Sequence, residues 1–316
     1  MTRLVTGADV ERAADRIRYS VRRTPVLGPV GELWIKPENR QRTGSFKVRG
    51  ALNAVAGLTN AGQVLAQSSG NHGRAVAYAA ARQGVKATVV LPETAPALKI
   101  DAVRALGAEV VVVPPGERES ATAALLARTG ATLITSADFA VIAGHGTVGA
   151  EIVSDLPDAG TVLVPVCNGG LLAGVAVAVK AYSPSTRVVG VEPALAADAA
   201  ESFRTGRLTR WPVSRTYRTI ADGLRAPVLG ELAWEHVKSL VDDVVTVDEE
   251  SIVAAQAFLF DRFGVVAEPS GAVATAAHLT GRAGPPGKSV VAVVSGGNVA
   301  APPLGTRREQ VSVELG

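Results

Sequence analysis

Thr161-Val162-Leu163-Val164-Pro165-Val166-Cys167-Asn168-Gly169-Gly170-Leu171-Leu172-Ala173-Gly174 is the stretch that decides the fold. Its first half is apolar throughout, with no polar alternation, as a parallel strand covered on both faces must be. A Gly-Gly turn follows, then an Ala/Val-rich run of helical length ending near Ala181. A strand that feeds directly into a helix is a βα unit, the first part of a βαβ crossover. The same grammar recurs outward in both directions. Strand-like runs at 33–36, 64–68, 87–91, 109–113, 131–135, 187–191, 243–247 and 289–295 alternate with helical stretches at 8–19, 46–58, 74–82, 95–106, 249–263 and 271–279. This alternation specifies an open, mostly parallel α/β architecture. The 281–287 stretch, rich in Gly and Pro, reads as a turn, and the tail after Ala300 as a surface strand or coil.

The chain has 316 residues, a length suited to two compact lobes rather than one core. Hydrophobic residues make up 47% and aromatic residues only 4%, so the core must be built from Ala, Val and Leu. The formal net charge is +3, from 32 basic and 29 acidic residues without a basic stripe, which argues against a nucleic-acid partner. A single cysteine, Cys167, excludes an internal disulfide and a cysteine-rich zinc site, and the four histidines form no HExxH pair. No apolar run is long enough for a bilayer, and Met1-Thr2-Arg3 does not open a secretory leader. The expectation is a cytoplasmic protein without a membrane partner.

Four segments carry chemistry. In Arg42-Thr43-Gly44-Ser45-Phe46-Lys47-Val48-Arg49-Gly50, Ser45 is placed as the N-cap of a helix and Lys47 in its first turn. The positive end of a helix disfavours an ammonium there and favours the neutral amine that a Schiff-base lysine requires. Ser68-Ser69-Gly70-Asn71-His72-Gly73 lies between a strand and a helix, where open α/β folds bind ligands; its backbone amides suit a carboxylate. Pro165–Gly174 opens another helix with free amides suited to a phosphate, yet lacks the GK[ST] ending of a nucleotide P-loop. Ser295-Gly296-Gly297-Asn298 closes the last strand with a hydroxyl able to meet a heterocyclic nitrogen. Taken singly, each segment also reads as an ordinary turn or a solvated surface group.

Together, these segments resemble the fold-type II pyridoxal-phosphate (PLP) enzymes of the tryptophan synthase β-like kind, and within them the serine/threonine dehydratase and serine racemase group. The resemblance also rests on Val141-Ile142-Ala143-Gly144, Val189-Gly190-Val191-Glu192-Pro193, Thr219-Ile220-Ala221-Asp222-Gly223 and Glu268-Pro269-Ser270-Gly271-Ala272. It implies two open parallel-sheet α/β lobes with PLP in the cleft: a small one at 63–137, and a large one from 1–62 and 138–316. It implies that Lys47 carries the cofactor, with Phe46 near the ring and Asn71 on its phenolic oxygen. Cys167, Asn168, Gly169, Gly170 and Leu171 then hold the phosphate, and Ser295 meets the ring nitrogen. A neutral hydroxyl does not keep that nitrogen protonated, which suits elimination better than a long-lived carbanion. Ser68, Ser69, Gly70, Asn71 and His72 would take the substrate.

The implied reaction is β-elimination on serine, threonine or 3-hydroxyaspartate, giving a 2-oxo acid and ammonia. Ser69 is serine where threonine dehydratases typically carry alanine, and in this it resembles both serine racemases and 3-hydroxyaspartate dehydratases. It supports the alternative, a racemase in which Ser69 opposes Lys47 as the second acid/base. A β-replacement transferase and a non-catalytic binding protein rank behind. The resemblance further implies a homodimer and a Mg2+ or Ca2+ site at Glu192, the Ala196 carbonyl and Asp198. The chain departs from the family at Cys167-Asn168, where glycines are usual, at His145, where a glutamine is usual, and in a shorter 113–131 stretch.

Overall fold

The computed structural model describes residues 3–58, 62–68, 70–95, 97–284 and 287–299. Among the described residues, ten strands fall into two sheets. The first, in the order β1-β2-β10-β7-β8-β9, comprises Leu27–Val30, Leu33–Pro37, Val290–Val294, Thr161–Pro165, Arg187–Pro193 and Asp243–Val247. The second, in the order β5-β4-β3-β6, comprises Glu109–Val113, Lys86–Pro92, Gln63–Gln67 and Thr132–Leu133. Every pairing is parallel except β1 with β2. β7 and β10 are buried at every residue, as their unbroken apolar runs predict.

The cores are aliphatic. Over the second sheet, Val64, Ala66 and Val89 pack against Ala75, Ala79 and Ala80 of the helix Asn71–Gln83. That cluster also takes in Val48, Ala51, Leu52 and Val55 of the helix Lys47–Ala56 and Val141 of the helix Phe139–Asp155. The helix bearing Lys47 therefore rests on the second sheet's core, while the residues just before it, 44–46, pair with the segment that follows β10 of the first sheet. The Phe46 N–H donates to Ser295 O at 3.0 Å and the Gly297 N–H to Gly44 O at 3.0 Å.

The structure adds elements that the periodicity does not specify: β1, and the helices Arg118–Thr129, Phe139–Asp155, Asp198–Thr205 and Glu231–Leu240. The strand expected at 131–135 shortens to Thr132–Leu133. The 17-residue helix Phe139–Asp155 is hidden by Gly144, Gly146 and Gly149, which read as helix breakers. Here they allow close packing. A Cβ on Gly146 would stand 2.9 Å from Gly174 O, and one on Gly174 would stand 2.4 Å from Ile142 O, so this helix and Gly170–Tyr182 touch backbone to backbone. Gly281, Gly284 and Gly287 have positive φ, in keeping with the expected turn, and the tail from Ala300 lies outside the described residues. No described helix is long and apolar enough to cross a membrane.

Candidate active site

A cavity of about 190 Å³ opens where the two sheets meet at the carboxyl ends of their strands, the usual ligand position in open α/β folds. Four loops converge there, after β3, β7 and β10 and at the start of the helix Lys47–Ala56. Phe46, Lys47, Asn71, His72, Cys167 and Ser295 line it. Ser68, Gly70, Asn168 and Leu171 do so as well. Gly169 is the N-cap, and Gly170 the first residue, of the helix behind this wall, with no side chain capping its amides. Ser69 lies outside the described residues.

Lys47 is the first residue of its helix. The expected cap does not form: Phe46 occupies the N-cap, and the buried Ser45 Oγ has no partner because residue 45 bridges Gly296 instead. The sheet-like seam from 44 to 46 orients this helix where a hydroxyl cap was expected to. Lys47 Nζ stands 4.8 Å from the Phe46 ring centroid and makes no hydrogen bond or ion pair with a described residue. Burial pulls its pKa below the usual lysine value, against the charges of Cys167 and Glu268. The amine is thus biased toward its neutral, nucleophilic form.

Behind it, Arg49 is fully buried and forks onto Glu38 at 2.7 and 2.8 Å and onto Glu151 at 2.8 Å, while Lys36 reaches Glu151 at 2.6 Å. Two cations and two carboxylates neutralise one another there and fix the helix two residues past Lys47. His145 meets the Phe46 ring edge-on at 4.7 Å, and neither of its buried nitrogens has a partner. Burial, followed by the charge of Lys47, holds it well below the ordinary histidine pKa.

His72 is also neutral. Burial pulls it to about 4, with the charge of Lys47 acting the same way, and its Nε2–H donates to Ile134 O at 2.8 Å. Asn71 Nδ2 donates to Glu268 Oε1 at 2.6 Å, and Asn298 Nδ2 donates to Asn71 Oδ1 at 2.7 Å. Ser295 Oγ is buried and has only a long contact, 3.4 Å, to Ser270 O. Cys167 is the one described non-glycine residue with positive φ, at 58°, and burial raises its thiol pKa. Asn168 Nδ2 donates to Ser136 Oγ across the cleft.

Site residues absent from the sequence reading include Glu268, Asp222 and Lys99, which also line the cavity. Glu268 and Asp222 sit inside segments that marked the resemblance, and their charges are the signal that was available. Lys99 stands on an unremarkable helix, and only the fold brings it to the mouth.

Glu192, Ala196 and Asp198 form a separate group at the end of β8. Glu192 is buried and accepts from the Ala200 N–H at 2.8 Å, while both carboxylate oxygens of Asp198 are buried without a partner. Burial and the charge of Asp198 push the Glu192 pKa well up, and burial takes Asp198 to about 7. No group of three or more His, Cys, Asp or Glu residues able to hold a metal occurs among the described residues.

Residues 17–296 match the family described as pyridoxal-phosphate dependent enzyme. An L-threonine ammonia-lyase of Thermotoga maritima is 42% identical over 309 residues, covering 94% of this chain and 76% of that protein. The crystal structure of a T.th. threonine deaminase superposes with a TM-score of 0.88 at 42% identity, covering 94% of this chain and 100% of the other. The structure of maize serine racemase does so with a TM-score of 0.89 at 36% identity, covering 94% and 95%. With a lysine that has no hydrogen-bond or ion-pair partner among the described residues at the meeting point of two mostly parallel sheets, the chain belongs to the pyridoxal-phosphate dependent enzymes, beside threonine ammonia-lyases and serine racemases.

Proposed function

We propose that this enzyme is an ammonia-lyase that eliminates water from a small β-hydroxy amino acid such as threonine or serine, leaving an enamine whose hydrolysis by water releases a 2-oxo acid and ammonia. The observation that carries the proposal is Lys47: a desolvated primary amine without an ion pair among the described residues, facing a cavity. Its surroundings fit pyridoxal phosphate. The amine suits the aldehyde, the underused Ser295 hydroxyl suits the ring nitrogen, and the uncapped amides at Gly170 and Leu171 suit the phosphate. Cys167, Asn168 and Gly169 would complete that loop, Phe46 would pack at the ring, and Asn71 would meet its oxygen. When bound, the cofactor withdraws electrons from the substrate Cα and makes the Cα–H bond acidic.

The chain's own residues supply the rest. Lys47, as a free amine, takes the Cα proton. The uncapped amides at the start of the Asn71–Gln83 helix, beside the Ser68-Ser69-Gly70 segment, orient the substrate carboxylate. His72, neutral and fixed by Ile134, adds no charge there. The purified enzyme should show a visible absorption band that borohydride removes, and should form 2-oxo acid from L-threonine or L-serine. Lys47→Ala should lose both; turnover surviving in that variant rejects the mechanism.

Ser69 and the likeness to serine racemases favour a second reading, in which Ser69 returns a proton to the face opposite Lys47. Incubation with L-serine separates the two: D-serine in excess of pyruvate, abolished by Ser69→Ala, selects the racemase.

Glu192, Asp198 and the Ala196 carbonyl would hold Mg2+ or Ca2+, completed by water. Support comes from the unpartnered Asp198 oxygens beside a second buried carboxylate. A chelator should lower the melting temperature, and no change would count against the site. The likeness to the family supports a smaller lobe at 63–137, a homodimer and a cytoplasmic enzyme; light scattering and cell fractionation test the last two.

A further inference from the structure

Lys99 and Asp222 face each other across the mouth of the cavity, with Lys99 Nζ donating to Asp222 Oδ2 at 2.6 Å. Lys99 belongs to the helix Ala97–Arg104, which packs beside β5 of the second sheet. Asp222 opens the short turn Asp222–Leu224 on the opposite side. That turn is pinned where the Gly223 N–H donates to Ser270 Oγ at 2.8 Å, and a Cβ on Gly223 would lie 2.9 Å from the same oxygen. The two side chains are 35% and 41% exposed, and so open a pair adds little to stability. Its position matters more. Lys47 and Lys99 are the cations among the described residues lining the cavity, and Asp222 and Glu268 the carboxyls. Glu268 is engaged by Asn71, and Lys99 is engaged by Asp222. The outer end of the cavity therefore offers no free cation among the described residues.

We infer that the Lys99–Asp222 pair determines substrate specificity, admitting β-hydroxy amino acids with uncharged side chains and turning away those with a second carboxylate. This rests on the elimination reading and narrows its substrates to serine and threonine over 3-hydroxyaspartate. A second carboxylate reaching the mouth has two options, both unfavourable. It lies against the Asp222 carboxylate at the mouth, or it draws Lys99 away and leaves Asp222 unpaired. A hydrogen or methyl group meets neither cost. Asp222 is thus the repulsive element of the selection, and removing its charge frees Lys99 as a carboxylate receptor.

The test compares kcat/KM for 3-hydroxyaspartate with that for serine in the holoenzyme. Asp222→Asn should move the ratio toward 3-hydroxyaspartate by roughly tenfold, equivalent to about 1.4 kcal/mol. Lys99→Gln should move it away, and Asp222→Glu should keep the wild-type value. A merely structural role would weaken both substrates together and leave the ratio fixed, and that result overturns the inference even while serine turnover upholds elimination. Calorimetric binding of L-aspartate against L-alanine reads the same preference without chemistry. An Asp222→Asn enzyme whose affinity ratio is unmoved would sink the pair's role whatever reaction is catalysed.

Discussion

Asn71 and Glu268, 197 residues apart in the chain, meet at 2.6 Å across the cleft, the amide of Asn71 donating to the Glu268 carboxyl. Their bond ties the start of a helix on the second sheet to the start of Pro269–Leu279 on the first. Asn298 continues the chain of bonds, donating to Asn71 and to Thr43 O, and accepting from Arg74 at 2.8 Å.

Glu268 should give the enzyme a pH-dependent stability. Burial first, and the negative charge of Asp222 second, raise its carboxyl from 4.5 to about 7, against the Asn71 N–H that pulls it down. A folded-state pKa above the unfolded one means that the folded protein holds the proton more tightly. That contribution is complete below about pH 4.5 and is lost as the pH rises to about 7. Glu268→Gln keeps the Asn71 bond and removes the titration. Relative to the variant, the wild type should lose up to about 3 kcal/mol between pH 4.5 and 7.5. Denaturation curves of both proteins across that range check it; parallel pH profiles would mean that Glu268 is ionised in the folded protein.

The Arg49 network gives a larger effect. Replacing Arg49 with Leu leaves Glu38 and Glu151 buried with only Lys36 between them, and breaking a buried pair in this way costs about 3–5 kcal/mol. Arg49→Lys should also be costly, since a single ammonium cannot reproduce the fork onto two carboxylates. Chemical denaturation of both variants measures the cost. Because the network sits two residues past Lys47, cofactor affinity should fall alongside stability. A Leu variant of wild-type stability would mean that the carboxyls take up protons without penalty.

Gly174→Ala should destabilise, although alanine ordinarily favours a helix. Its Cβ would lie 2.4 Å from Ile142 O and 2.6 Å from Gly146 N, forcing apart two helices whose backbones touch. The cost is about 1–3 kcal/mol or more. Alanine at the exposed Gly62, whose Cβ would meet nothing within 4 Å, is the control and should be near neutral. Equal melting temperatures for the two variants would refute the packing argument.

The same glycines mark the limit of what the chain discloses on its own. Most parallel strands were legible because strands buried on two faces need unbroken apolar runs, as in Val162–Val164 and Val290–Val294, whereas the antiparallel, half-exposed β1 carries no such run. The Phe139–Asp155 helix was not, since a local reading takes Gly144 and Gly146 as breakers, and only the facing Gly174 explains them. At the site, Lys47, Asn71 and Ser295 announce themselves through adjacent glycines and strand ends. Ser45 misled because its rule for helix starts is local, whereas its partner in pairing, Gly296, comes from the far end of the chain. Lys99 owes its place wholly to tertiary packing.

Cys167 provides a last test, since it sits at φ 58° where a side chain is strained. Left-handed backbone costs a residue with a Cβ about 1–2 kcal/mol, and glycine escapes this while losing about 0.5–1 kcal/mol in unfolded-chain entropy. Cys167→Gly should therefore be at least as stable as the wild type, by about 0.5 kcal/mol. Cys167→Val should be less stable, because a β-branched residue tolerates that conformation worst. Burial, which outweighs the nearby Lys47 charge, keeps the thiol protonated, so its alkylation at neutral pH should be slow. The melting order Gly, Cys, Val together with slow labelling would show that Cys167 is a strained spacer in the loop before Gly169 rather than a reactive thiol. Rapid labelling, or a Val variant as stable as the wild type, would contradict it.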